Sequence, residues 1–191
     1  MDGLAVAPAH VTEYPTDEEL LEQVMRPYRS KNCVYLKDAV VGAADAGPDD
    51  RRLTASCEFE IPESCYIDDT GHFNSVEFNI CYNQMAYYLM AKAVKENLVA
   101  PFSAWTLDDF WKRQLGDILI TDFRSAFRAP LHGRHYRGEL EIVEIVQWEG
   151  SDVRDPLVVV RTTCRYRDDH GGHAHGEISV AITNPPIPDG R

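Results

Sequence analysis

Ser75-Val76-Glu77-Phe78-Asn79-Ile80-Cys81-Tyr82-Asn83-Gln84-Met85-Ala86-Tyr87-Tyr88-Leu89-Met90-Ala91-Lys92-Ala93-Val94-Lys95 contains neither proline nor glycine over its whole length. Its apolar residues (Val76, Phe78, Ile80, Cys81, Met85, Ala86, Leu89, Met90, Ala93 and Val94) do not keep to one stripe but cover almost every face of a helix. A helix apolar nearly all round is buried nearly all round. A chain of 191 residues is long enough for one well-filled core and short for two. The natural cover for such a helix is a sheet curved about it.

The flanking sequence supplies that sheet. Thr16-Asp17-Glu18-Glu19 is a capping box that opens a short helix, with Pro27 expected to end it after Arg26. Residues 33–43 and 52–60 are β-rich, and Asp45–Arg52 between them, with Gly47, Pro48, Asp49 and Asp50, has hairpin-loop chemistry. A Pro62–Phe73 loop leads into the long helix, and Thr106-Leu107-Asp108-Asp109 starts a second short one. Beyond Gly116 strands are expected at about 117–129, 134–148, 156–167 and 173–183, separated by Pro130–Gly133, Gly150–Asp155 and Asp168–Gly172. Consecutive strands joined by short turns should pair antiparallel. Residues 1–15, with Pro8 and Pro15, read as a flexible leader, 16–184 as a single domain and 185–191 as a Pro-rich tail. The result is an α+β chain whose antiparallel sheet wraps round one long central helix, the hot-dog fold. Hot-dog domains generally work as dimers or larger homo-oligomers, with sites at subunit junctions.

Composition narrows the function. Thirty-one acids stand against 19 Lys and Arg, a formal net charge of -12. Nucleic-acid binding needs a cationic surface over phosphates, and a polybasic membrane anchor is equally disfavoured. With 44% hydrophobic residues the chain is no disordered acidic tail. Met1–Pro8 has neither the cationic start nor the apolar run of a signal peptide, and no segment is apolar for long enough to span a membrane. The five cysteines are odd in number, scattered and without a CxxC pair, which points to reduced thiols and a cytoplasmic protein.

The chemistry concentrates at the head of the long helix. Gly71-His72-Phe73-Asn74 brings backbone N–H groups to a helix N-terminus, where an anionic oxygen such as a thioester carbonyl gaining enolate character can be held. His72 titrates near neutrality and is a candidate base, or only a capping histidine. Glu77 completes a capping box with Asn74 and can be no more than that, or can assist His72. Asn79 and Asn83 share a helix face, and buried amides there must meet a ligand or a facing strand. Arg124, Arg128, Arg134 and Arg137 crowd one acid-free run, either a solvated strand face or a site for a carboxylate or an acidic partner. His170, His173 and His175 invite a metal, but Gly171-Gly172 marks a hairpin tip and no further ligand is apparent, so no metal is assigned. Cys65 and Cys81 are nucleophiles only beside a base that spacing does not reveal.

Gly71-His72-Phe73 at a buried helix is similar to the loop of hot-dog hydroxyacyl-carrier-protein dehydratases. The Pro-rich continuation is absent, however, and Asn83 stands near the depth where those enzymes keep an acid. A closer resemblance spans most of the chain. Glu19 to Tyr35, Tyr66-Ile67 with Thr70-Gly71-His72-Phe73-Asn74, Val76-Glu77, Asn83-Gln84 with Ala86-Tyr87, Asp108-Asp109, and Phe127-Arg128 with Pro130-Leu131 resemble the FcoT-like family. That family was first described as long-chain fatty acyl-CoA thioesterases. Its members in isonitrile lipopeptide gene clusters are (2E)-enoyl-ACP glycyltransferases, that is, glycine:enoyl-ACP lyases.

The resemblance implies a Michael addition of glycine to Cβ of an α,β-unsaturated fatty acyl thioester. The acyl group is carried by the phosphopantetheine of an acyl carrier protein, and no metal or organic cofactor takes part. On this reading His72 and Glu77 are the catalytic pair. Tyr66, Asn74 and Asn83 position substrate, Arg128 holds glycine's carboxylate, and Arg124, Arg134 and Arg137 dock the acidic carrier. Two other readings stand beside it. One is hydrolysis of an acyl-CoA or acyl-ACP thioester by the same pocket. The other is a non-catalytic acyl-binding domain.

Overall fold

A computed structural model of the protein describes residues 11–47, 50–68 and 73–186. In chain order the elements are strand β1 (Val11–Tyr14), helix α1 (Glu18–Arg29), strands β2 (Leu36–Gly47) and β3 (Asp50–Phe59), helix α2 (Ser75–Lys95), a short 3-10 turn, helix α3 (Leu107–Arg113), and strands β4 (Ile118–Ala129), β5 (Tyr136–Trp148), β6 (Leu157–Arg167) and β7 (His173–Thr183). The strands form one antiparallel sheet in the order β1-β2-β3-β5-β6-β7-β4. The fold is hot-dog, α+β, with α2 as its core. No described helix is long and apolar enough to cross a membrane.

Helix α2 is held by apolar packing and by hydrogen bonds its own polar residues make to the cover. Phe78, Cys81, Tyr82, Met85, Tyr88 and Leu89 are fully buried against the inner face of the sheet. Gln84, also fully buried, joins α2 to the entry of β2: its Nε2 donates to Cys33 O at 2.6 Å, and its Oε1 accepts from Tyr35 N at 3.0 Å and Leu36 N at 2.9 Å. Removing that amide would orphan three buried backbone groups at once. The Tyr82 hydroxyl meets Thr162 Oγ1 of β6 at 2.9 Å. Where α2 runs under β5 the chain has Gly138; a Cβ there would stand 2.7 Å from the Phe59 ring and 2.8 Å from Met85 Sδ, so only glycine lets helix and strand approach this closely.

The N-terminal segment departs from expectation. Val11–Tyr14 is not leader but an edge strand, paired with β2 from Val11↔Ala44 to Tyr14↔Val41. Four residues are too few to show a period, and only the partner strand reveals them. Residues 1–10 and 187–191, most of the expected leader and tail, lie outside the described residues, as do Pro48 and Asp49 of the first hairpin. Asp17, not Thr16, caps α1 through a bond from Leu20 N, and α1 runs through Pro27 to Arg29. Proline deletes one hydrogen bond so near the C-terminus, where the helix is about to end.

The strand pairing also differs in one place. Pro130 to His135 is short enough for a hairpin, yet β4 pairs with β7, and β5 inserts between β3 and β6. The segment crosses the end of the sheet instead. It is tied down by Phe73 N donating to Leu131 O at 2.8 Å, Ile61 N to Gly133 O at 2.9 Å and His132 N to Asp168 Oδ2 at 2.7 Å. Leu131 is buried beneath it. This crossing closes the mouth of the sheet over the head of α2, so the crossing and the helix start share one corner.

Candidate functional site

At that corner a groove of about 560 Å³ lies between the first turn of α2 and the end of β4. Phe73, Phe127, Ala129 and Pro130 give it apolar walls, and Asn74, Ser75 and Arg128 give it a polar rim. Behind it Phe73 packs into an aromatic cluster, 5.0 Å between ring centroids from Tyr136 and from Tyr166, and 5.8 Å from Phe78. The Phe73 wall is therefore held by the core.

Arg128 reaches the rim through a backbone irregularity. Phe127 pairs with Ala174 and Ala129 with His173, so Arg128 is the extra residue of a β-bulge. A bulge re-aims a side chain, and bulges gather beside functional sites. Arg128 is exposed, with no ion pair among the described residues.

Asn74 caps α2 in extended conformation, its Oδ1 accepting from Val76 N at 2.9 Å and completing a capping box with Glu77. With Oδ1 committed to the cap, Nδ2 is the group Asn74 has left to offer a ligand. The cap also takes first-turn N–H groups that the sequence offered to a substrate oxygen, and Phe73 N is taken by Leu131 O.

Glu77 is only 3% exposed. Its Oε2 accepts from Asn74 N at 3.4 Å, as a capping box requires, while its Oε1 accepts from the Ser64 hydroxyl at 2.8 Å. Among the described residues it has no cationic partner. The partial positive charge of the helix N-terminus is what compensates it. The Ser64 bond ties the 62–67 loop to the helix head, and nothing in the sequence flagged Ser64: a lone loop serine has no spacing signature.

Asn83 and Asn79 meet each other. Asn83 Nδ2 donates to Asn79 O at 3.1 Å and to Asn79 Oδ1 at 2.7 Å, not to a facing strand. Asn83 Oδ1 is thereby left without a hydrogen bond among the described residues. Both sit on the one stripe of α2 that is incompletely covered, with Ile80 and with Val76, which is 38% exposed.

The remaining assignments separate. His72 lies outside the described residues. Tyr66 stands on the surface, 47% exposed, and does not line the groove. Arg124 lies midway along β4 beside Asp122, at 3.4 Å. Arg134 Nη1 donates to Ile61 O at 3.3 Å. Arg137 bonds Glu58 at 3.1 Å and approaches Asp169 at 3.5 Å.

Cys81 is fully buried with its Sγ 3.0 Å from the Tyr136 hydroxyl, and burial holds the thiol protonated far above its ordinary range, so it is no nucleophile. Among the described residues no group of three or more His, Cys, Asp or Glu is placed to hold a metal ion. His173 Nδ1 instead lies 3.1 Å from Gly171 O.

Known proteins resemble the chain along most of its length. It is 52% identical over 171 residues to a (2E)-enoyl-ACP glycyltransferase of Streptomyces coeruleorubidus, covering 90% of this chain and 99% of that one. It is 36% identical over 174 residues to a (2E)-enoyl-ACP glycyltransferase of Mycobacterium tuberculosis (strain ATCC 25618 / H37Rv), covering 90% of each. Residues 23–182, from α1 to the last strand, match the FcoT-like thioesterase domain, and the chain belongs to that family.

Proposed function

We propose that the protein adds glycine to Cβ of a (2E)-enoyl thioester on an acyl carrier protein, the activity its relatives are named for. The observation that carries this reading is the groove: apolar walls suited to an enoyl chain, with the bulged Arg128 on the rim as partner for a carboxylate. Glycine's amine is mostly protonated at neutral pH and must lose a proton before it attacks. His72, next to the head of α2 in sequence, is the proposed base, with the buried Glu77 of the first turn as its proposed assistant. Asn83 offers an acceptor to an amine N–H. Nitrogen bonds to Cβ, the π electrons move to Cα with the carbonyl polarised, and Cα takes up a proton. Nothing leaves and nothing is oxidised. The product is a 3-[(carboxymethyl)amino]acyl-ACP, suited to later conversion to an isonitrile in lipopeptide biosynthesis in the cytoplasm.

Two features support a homodimer formed through β4. It is an edge strand with Leu119 and Phe127 45% and 41% exposed, and it lies on the same side of the molecule as the groove. A long open edge with apolar side chains is otherwise a liability. The family's thioesterase description favours hydrolysis as the second reading. Mass spectrometry of enoyl-ACP incubated with and without glycine separates the two. An adduct that keeps the thioester and adds the mass of glycine is expected; free acid, formed equally without glycine, overturns the proposal.

A further inference from the structure

All five described histidines, His132, His135, His170, His173 and His175, gather at the end of the sheet where the groove opens. Between the strands that carry them β6 contributes Arg165 and Arg167. Both are exposed, and they lie on the outer face because Cys164 and Tyr166, which alternate with them, are buried. Register sets Arg167 between Arg137 of β5 and His173 of β7, and Arg165 between Glu139 and His175. The rings of His132 and His170, from the crossing segment and the β6–β7 turn, are 6.0 Å apart.

Three of the acids at this corner are already engaged, while Glu139, opposite Arg165 in register, makes no ion pair among the described residues. Glu58 meets Arg137 and His135, Asp169 meets Arg137, and Asp168 accepts from the backbone of His132, His170 and Gly172. Arg165 and Arg167 make no ion pair among the described residues. In a chain of net charge -12, two guanidiniums held by no ion pair, set among imidazoles at the end of the sheet that carries the groove and faced in register by Glu139, are a local reversal of field. Arg124 and Arg137, by contrast, have carboxylates of their own.

We propose that Arg165 and Arg167, with His173, are the docking surface for the acidic carrier protein that delivers the acyl chain. The inference rests on the proposed function to the extent that the substrate is carrier-bound. Strand β6 is two strands from β4, roughly 10 Å at about 4.8 Å per strand. A carrier seated on β6 therefore stands beside the rim that Arg128 marks, within the reach of a phosphopantetheine arm. The chain's general negative charge repels such a partner, so a small positive corner also selects the orientation in which the arm meets the groove.

The test compares full-length wild type with the Arg165→Glu/Arg167→Glu double variant. Affinity for acyl-ACP is read by titration, which needs no chemistry. The ratio of kcat/KM on enoyl-ACP to that on the carrier-free enoyl-pantetheine is read alongside. The expected result is about tenfold or more weaker carrier binding at low salt, a similar fall in that ratio, and a gap between the proteins that narrows as salt is added. Unchanged carrier affinity overturns the inference. So does an equal loss on both substrates, and so does an Arg124→Glu variant that weakens carrier binding as much. A change of oligomeric mass with carrier affinity intact would assign the face to a second copy of the chain and also overturn it. A wild type that binds acyl-ACP but adds no glycine would defeat the proposed function and leave the docking surface standing.

Discussion

Replacing Glu77 by glutamine separates catalysis from capping, because the structure fixes what each role requires. The carboxylate accepts from Ser64 at 2.8 Å and from Asn74 N at 3.4 Å. Glutamine can keep both contacts. Its carbonyl accepts from Asn74 N, and its NH2 donates to Ser64 Oγ once that hydroxyl rotates to become the acceptor. The change costs the extra strength of a charged hydrogen bond and the favourable dipole term, together about 1 kcal/mol. For a chain of this size that lowers Tm by about 2–4 °C. Alanine at the same position would strand both donors and leave a void, costing about 3 kcal/mol and about 6–12 °C.

If the charge on Glu77 assists proton transfer, Glu77→Gln should lower kcat for glycine addition about 10²-fold. That is about 2.7 kcal/mol on the barrier, well above what the stability change accounts for. The assay is turnover of enoyl-ACP followed by mass spectrometry, with Tm measured on the same preparation. A glutamine variant within twofold of wild-type kcat, with Tm barely moved, would show that Glu77 only caps and braces Ser64, and the catalytic assignment would fall.

His72→Ala is expected to slow addition about 10²-fold or more with Tm nearly unchanged; near wild-type turnover would place the base elsewhere. Arg128→Ala should raise the apparent KM for glycine while leaving carrier affinity near wild type, and the opposite pattern in steady-state kinetics would refute its place at glycine's carboxylate. Gly172→Ala should cost about 2–3 kcal/mol and lower Tm by about 5–10 °C, because its Cβ would stand 2.3 Å from Pro130 O and 2.6 Å from Leu131 Cα, backbone atoms that cannot swing away; a calorimetric Tm within 2 °C of wild type contradicts it. Burial opposes ionisation of Asp168, but bonds from His132, His170 and Gly172 N–H outweigh it and hold the carboxyl below its ordinary value. A lowered native pKa stabilises above the unfolded pKa of about 3.9 and is lost as pH falls through the native one. The Tm gap between wild type and Asp168→Asn should therefore be full at pH 6 and shrink below about pH 4, and a gap independent of pH would refute this.

The parts of the fold legible in the sequence were those with a long period or a strong stop. Helix α2 runs Ser75–Lys95, the span its apolar run and Asn74 cap give, and β6 and β7 end within a residue or two of their Gly- and Asp-rich separators. What escaped depends on partners far along the chain. Val11–Tyr14 is a strand only because β2 has a free edge, and the short Pro130–His135 link looks like a turn unless β5's place beside β3 is known. The site divides the same way. Asn74, Glu77 and Arg128 were visible through capping pattern and family motif. That Arg128 owes its position to a bulge, and that Ser64 reaches Glu77, are properties of register and loop path that no local pattern encodes.

The strand order bears on how the chain behaves while it is being made. Helix α2 is complete at Lys95, but the strands that cover it, β5 to β7, finish only at Thr183, roughly 90 residues later. At about 5–20 residues per second the ribosome needs some 4–18 s to deliver them. During most of that interval an almost wholly apolar helix has α1, α3 and β1 to β3 to lean on but not the strands that complete its cover, and the far edge of β3 stays unpaired until β5 inserts against it. The N-terminal half is therefore no independent folding unit. Nascent chains stalled before β7 should be held by chaperones or lost to aggregation, and fragments ending near residue 130 should be insoluble even though they carry the whole head of α2.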